Sequence, residues 1–174
     1  GLAIGTEVLD LNLRDIIVGR DGRLSGPGLC QALCDGILAS GANVIYIGQV
    51  PSPVMYFATH HLASSTGVIV TGSHNPADYN GLKIVVNGKT LAADGIRKIY
   101  ERIGARKFHS GKGSIHSVEI IPDYLQRIQQ AIHLTRPLRI VIDCGNGVAG
   151  ETAPKLYRAL GCEVIDLYCE VDRS

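Results

Sequence analysis

Four short apolar runs constrain this chain more than any other feature: Ile16-Ile17-Val18, Val44-Ile45-Tyr46-Ile47, Gly67-Val68-Ile69-Val70 and Ile84-Val85-Val86. They are rich in β-branched residues and suit buried strands. The segments between the first three carry helical spacing. Leu29, Leu33, Ile37 and Leu38 form one apolar stripe, with Ser25 as its cap, Pro27 in the first turn and Gly41 just past the end. Ser52 and Pro53 open a second helix, with Val54, Phe57, Ala58, His61 and Leu62 on one face. The segment from Gly1 to Arg14 reads as a helix leading into the first strand, and Asp94 starts another through Ile96, Ile99, Tyr100 and Ile103. Strands alternating with helices predict a three-layer α/β/α domain. Asn87-Gly88, between Lys83–Val86 and Lys89–Leu91, predicts a type I′ hairpin, which makes the sheet mixed.

From Gly104 to Ser117 the composition turns to Gly, Ser, His and Lys with little apolar periodicity. The domain boundary is expected here, giving units 1–117 and 118–174. Past it, Ile121, Tyr124, Leu125, Ile128 and Ile132 mark a helix. Leu138–Asp143, Thr152–Leu160 and Val164–Tyr168 then read as strand, helix and strand. A single βαβ unit has too few strands to close a layered core. The second α/β domain is therefore expected to be truncated.

Composition excludes several classes. A net charge of +1 and the absence of tryptophan argue against a nucleic-acid binder. No apolar run reaches the length of a membrane span, and no signal pattern opens the chain, so no membrane partner and a cytoplasmic setting are expected. Five cysteines fit neither a zinc site nor a disulfide framework. Cys30 and Cys34, one helical turn apart, read as buried thiols in a reducing compartment.

Chemistry concentrates after the third strand, in Thr71-Gly72-Ser73-His74-Asn75-Pro76-Ala77-Asp78-Tyr79-Asn80-Gly81-Leu82-Lys83. Gly72 is expected to let the backbone turn without a Cβ penalty, and Asn75-Pro76 stops any helix. Ser73 is thereby held on a tight loop at a strand end, where ligands bind in open α/β sheets. Lys83 opens the next apolar run and puts a cation at a strand mouth close by. A hydrolase elbow fits poorly, because G-x-S-x-G spacing is absent and adjacent Ser73 and His74 are not expected to hydrogen-bond as a triad needs. Earlier, Arg20-Asp21-Gly22-Arg23 follows the first strand, as either an ion-pair knot or part of an anion site, with the structural role favoured over direct catalysis.

The run from Thr71 to Lys83 resembles the phosphoserine loop of the α-D-phosphohexomutases, most of all their phosphomannomutase/phosphoglucomutase branch. Val18-Gly19-Arg20-Asp21-Gly22-Arg23-Leu24-Ser25 and Val141-Ile142-Asp143-Cys144-Gly145-Asn146-Gly147 support the same resemblance. It implies an intramolecular phosphotransferase of the isomerase class. Ser73 would donate a phosphoryl group to a hexose 1- or 6-phosphate, form a bound hexose 1,6-bisphosphate, and take the other phosphate back. Thr71, Gly72, His74 and Asn75 would shape the loop, and Lys83 would stabilise charge or assist proton transfer. Magnesium (Mg2+) is the implied cofactor, with the phosphate on Ser73 as one ligand.

The resemblance covers nearly all of this chain, but the chain covers less than half of a mutase. It has no Asp-Gly-Asp-x-Asp run for the metal, no Gly-Glu-x-Ser-Gly-His sugar loop, no Arg-x-Ser-Asn phosphate clamp and no Tyr-Asp-x-Arg-Gly segment. The fragment alone is expected to be inactive, and its cut second domain to expose apolar surface and favour self-association. A non-catalytic domain that binds a sugar phosphate or a partner is the alternative. A dinucleotide site is a weaker one, suggested by Gly145-Asn146-Gly147-Val148-Ala149-Gly150 with Asp166 beyond. Pro154 delays the helix, and Asp143 would repel the phosphates.

Overall fold

The computed structural model describes residues 1–172. Six strands form one mixed sheet in the order β5-β4-β3-β1-β2-β6. These are β1 (Asp15–Arg20), β2 (Asn43–Gln49), β3 (Gly67–Val70), β4 (Leu82–Val86), β5 (Lys89–Thr90) and β6 (Ile115–Ser117). β1 pairs in parallel with β2 and β3, and β2 with β6, whereas β4 runs antiparallel to β3 and to β5.

Strand alternation sorts the core onto two faces. Ile16, Val18, Val44, Val68, Val70, Ile84 and Val86 pack under α1 (Leu2–Asp10), α2 (Gly26–Ser40) and α4 (Ala93–Ala105). Ile17, Ile45, Ile47, Ile69 and Val85 face α3 (Ser52–His61), with Ile120 wedged beside them. Helix α5 (Ile121–Ala131) follows and packs on α3. The architecture is therefore α/β/α in three layers around a mixed sheet. β7 (Arg139–Asp143), α6 (Ala153–Ala159) and β8 (Glu163–Leu167) form a second, two-stranded parallel unit.

Local chemistry explains most of these elements. Asn87 and Gly88 both take positive φ, 49° and 74°, as a type I′ turn requires. Gly41 ends α2 at φ 99°, a left-handed cap that suits glycine.

Other expectations change. Ser25 makes no cap hydrogen bond to α2; its hydroxyl accepts instead from the Asn80 amide, 3.0 Å away. The buried stripe of α2 is Cys30, Leu33, Cys34 and Ile37, while Leu29 is 47% exposed. On α4 only Ile99 is buried, and Ile96, Tyr100 and Ile103 face out. The stretch read from composition as a boundary contains β6, which Val44 holds through a backbone contact and Asn43 through a side-chain contact. The Val44 amide donates to Ser114, and Asn43 Oδ1 accepts from the Ser114 amide at 3.0 Å. A three-residue edge strand leaves too short a pattern to read from sequence.

Candidate functional site

Because β1 and β3 are parallel neighbours, the loops that follow them leave the sheet side by side at its carboxyl edge. Arg23, from the first loop, reaches under the second. Its guanidinium donates to the carbonyls of Ser73 (3.0 Å), Asn75 (2.8 Å), Tyr79 (2.9 Å) and Pro76. Its Nε lies 3.3 Å from Asp21 Oδ2. All five N–H groups of the fork are thus occupied. Asp21 completes the clasp by accepting from the Arg23 amide (3.1 Å) and the Gly72 amide (3.2 Å). The two side chains are only 15% and 14% exposed, so the pair works in a partly desolvated setting where its bonds are strong.

This clasp gives Gly72 a different role from the one expected. Gly72 does not take positive φ; a Cβ there would lie 2.3 Å from Arg23 Cζ. Glycine is needed for the close approach of the guanidinium. The strained residue is its neighbour, Ser73, at φ 52°. That twist presents the Ser73 side chain to solvent at the loop vertex. Thr71 Oγ1 accepts from the Ser73 amide at 3.0 Å, and the Thr71 amide donates to the Gly81 carbonyl at 2.9 Å. The Asn75 amide donates to the Gly72 carbonyl at 3.0 Å. Ser73 Oγ and His74 Nδ1 lie 3.2 Å apart, contrary to the expectation that adjacent side chains do not meet. The left-handed Ser73 backbone makes the contact possible. No carboxylate orients His74 among the described residues, so the third member of a triad is missing.

The loop borders a cavity of about 670 Å³. Thr71, Ser73, His74 and Asn75 line one wall, with Asp21 and Arg23 beneath, and Cys144 to Ala149 form the opposite wall. Lys83 is not among the lining residues. It pairs in register with Ile69, and its side chain makes no hydrogen bond or ion pair among the described residues. Within the described lining Arg23 is therefore the only lysine or arginine, and its N–H groups are committed to the loop. No group of three His, Cys, Asp or Glu side chains able to hold a metal occurs among the described residues. The donors present, an exposed Ser73 oxygen and an Asp21 already engaged, do not make a magnesium site by themselves.

The glycine run on the opposite wall is a packed turn. Asp143 Oδ1 accepts from the Gly145 amide at 2.9 Å, and Asn146 Nδ2 donates to the Glu170 carbonyl at 2.8 Å. A 3-10 turn, Val148–Glu151, precedes α6, which starts only at Ala153 with Pro154 in its first turn. Asp166 is paired with Arg158 at 2.6 Å. Both acids that a dinucleotide reading would weigh are thus engaged in holding the turn and the βαβ unit.

Sequence reasoning located the serine loop but missed the hold of Arg23 on it, which spans 50 residues or more. The available signal was Asp21-Gly22-Arg23 directly after the first strand.

A three-layer α/β domain that presents a serine on a clasped loop at the sheet's carboxyl edge defines a class, and the comparisons agree with it. Residues 1–110 match phosphoglucomutase/phosphomannomutase α/β/α domain I, and residues 122–174 match domain II of the same family. The chain belongs to the phosphoglucomutase/phosphomannomutase family. It is 51% identical over 172 residues to a phosphomannomutase/phosphoglucomutase of Pseudomonas aeruginosa, covering 99% of this chain and 37% of that one. It is 42% identical over 174 residues to a phosphoglucomutase of Neisseria meningitidis, covering 99% of this chain and 38% of that one. The crystal structure of a phosphoglucomutase/phosphomannomutase family protein from Burkholderia thailandensis superposes with a TM-score of 0.93 at 44% identity, over 98% of this chain and 39% of that one. The chain thus spans a little over a third of the length of these relatives. No helix among the described residues is long and apolar enough to cross a membrane.

Proposed function

We propose that Ser73 is the phosphoryl carrier of a phosphohexomutase that interconverts hexose 1- and 6-phosphates through a bound hexose 1,6-bisphosphate. The observation that carries this reading is the Ser73 hydroxyl itself, exposed at the vertex of a clasped loop and facing a cavity of about 670 Å³. In the forward half-reaction a hexose hydroxyl attacks phosphorus. The new O–P bond forms as the Ser73 Oγ–P bond breaks, and the hydroxyl proton ends on Ser73. The reverse step regenerates phosphoserine from the other phosphate. Such transfer depends on positioning and charge stabilisation. Here Arg23 and Asp21 supply positioning, His74 lies within reach of the Ser73 proton, and Lys83 is assigned charge stabilisation or proton transfer. Magnesium would supply charge neutralisation at the phosphoryl group. Residues 1–172 offer it one oxygen, on phosphorylated Ser73, and its other ligands would come from outside these residues. The working division is 1–117 for the serine-loop domain and 118–174 for part of a second.

This assignment is tested by intact mass and phosphopeptide mapping after exposure to glucose 1,6-bisphosphate. One phosphoryl group is expected, on Ser73 alone. A phosphate elsewhere, or one that persists in Ser73→Ala, overturns the assignment. The substitution should leave stability within about 0.5 kcal/mol, as exposed loop changes usually do. Residues 1–174 alone are expected to show no mutase turnover in a coupled dehydrogenase assay, since no metal-holding cluster occurs among the described residues and no Arg-x-Ser-Asn clamp occurs in the sequence. A non-catalytic sugar-phosphate binder is the second reading, favoured by the position of Lys83 outside the cavity lining. It predicts hexose phosphate binding without transfer to Ser73.

A further inference from the structure

We propose that Cys144 and Cys169 form a reversible oxidation site, a vicinal thiol pair that hydrogen peroxide converts into a disulfide on the wall of the cavity facing Ser73. The two residues leave the adjacent ends of β7 and β8, which pair in parallel with Asp143 opposite Leu167. Their sulfurs lie 3.5 Å apart, and both residues are partly exposed. Cys144 lines the cavity, which gives a small polar oxidant a path to the pair.

Backbone hydrogen bonds hold the two segments that carry these sulfurs. The Cys144 amide donates to the Leu167 carbonyl at 3.1 Å, and the Asn146 amide to the Tyr168 carbonyl at 2.7 Å. Gly150 packs so closely on the Cys169 carbonyl that a Cβ there would lie 1.8 Å from its oxygen. Closing the sulfurs to a bonded separation of about 2.05 Å therefore needs side-chain rotation and a small approach, with no rearrangement of strands. The other thiols differ. Cys162 is buried, and Cys30 and Cys34 are buried on one turn of α2.

The order of events follows from the environment. Burial first, then the Cys169 contact and the charges of Cys169, Asp143 and Asp166, push the Cys144 thiol up to about 11. A thiol raised in this way is disfavoured as the first attacking sulfur, so the sequence starts at Cys169. Cys169 attacks one peroxide oxygen, giving sulfenic acid and water. The Cys144 sulfur then displaces the sulfenic oxygen, its proton leaves with that oxygen as a second water, and the S–S bond forms. Two thiols lose two electrons in all, and one peroxide gains them. Thiol reductants reverse the bond by exchange. Closure ties Cys144, the first residue of the loop facing Ser73, to the second residue after β8. The inference is independent of the phosphoryl-transfer reading.

The test treats the purified protein with hydrogen peroxide, alkylates free thiols, and maps tryptic peptides with and without dithiothreitol. The expected result is loss of two hydrogens from the intact mass, a Cys144–Cys169 cross-link reversed by dithiothreitol, and retention of the link in Cys162→Ser. In Cys144→Ser, Cys169 should stop at sulfenic acid and be captured by a dimedone probe, whereas Cys169→Ser should give neither product. A link to Cys162, a link only between two molecules, or equal dimedone capture in the native and Cys144→Ser proteins overturns the proposal. Should a variant fail to fold, the peptide map of the native protein decides.

Discussion

Arg23 holds the serine loop with four N–H groups and Asp21 with the fifth, and the loop carbonyls it binds lie near solvent. Removing the side chain leaves groups that water can partly satisfy, so Arg23→Ala should destabilise by about 2 kcal/mol, at the level of a few net hydrogen bonds to a charged donor. Lysine cannot replace the planar fork, so Arg23→Lys should recover less than half of that loss. Gly72→Ala attacks the same contact from the other side, since its Cβ would collide with Cζ. The two substitutions share one partner and should be non-additive, the double variant costing little more than either alone. Urea denaturation of the four proteins measures this, and simple additivity would show that the clasp is not the common element.

At the scale of elements, polar contacts join α1 to α4 and to the segment after it. Arg102 lies 2.7 Å from Glu7 and 2.8 Å from Asp10, and His109 Nε2 lies 2.7 Å from the other Asp10 oxygen. The His109 hydrogen bond is the main cause that holds the Asp10 carboxyl below the usual aspartate range; burial opposes it, and the hydrogen bond and charge of Arg102 add smaller downward contributions. A carboxyl depressed on folding stabilises the fold above its unfolded value, near pH 4, and loses that contribution as pH falls through the folded value. Asp10→Asn should therefore lower the urea midpoint at pH 6, and the gap to the native protein should close as pH falls below the usual aspartate range, through the depressed folded value. The effect is modest because the group is largely exposed. A gap that stays constant with pH would assign the effect to packing.

At the scale of the whole molecule, the first sheet is covered on both faces and the second is not. Val141 and Ile165 stand opposite each other in register, with Leu167 two residues along the same face, and all three are exposed. Contiguous apolar surface of this kind favours association. We expect residues 1–174 to self-associate in sedimentation velocity through this face. Val141→Thr with Ile165→Thr should weaken the association by about tenfold, or 1.4 kcal/mol. Unchanged sedimentation in the double variant would place any contact elsewhere.

What the sequence determined by itself was everything written in local pattern. β-Branched runs became β1 to β4, Asn87-Gly88 became the type I′ turn, and Thr71 to Lys83 marked the serine loop and the family, because these rest on residues within one turn or strand of each other. The second βαβ unit was legible for the same reason. Only the tertiary structure decided which side chains meet across long separations. Parallel pairing of β1 and β3 delivers Arg23 to a loop some 50 residues away and converts Gly72 from a presumed turn residue into a seat for a guanidinium. Parallel pairing of β7 and β8 brings Cys144 and Cys169 together across 25 residues. The cap that Ser25 was expected to form went to Asn80 from another loop. Lys83, near Ser73 in sequence, stays outside the lining of the cavity. Local pattern fixes the period and ends of an element, whereas side-chain proximity depends on strand order and register, and neither is encoded within a short window.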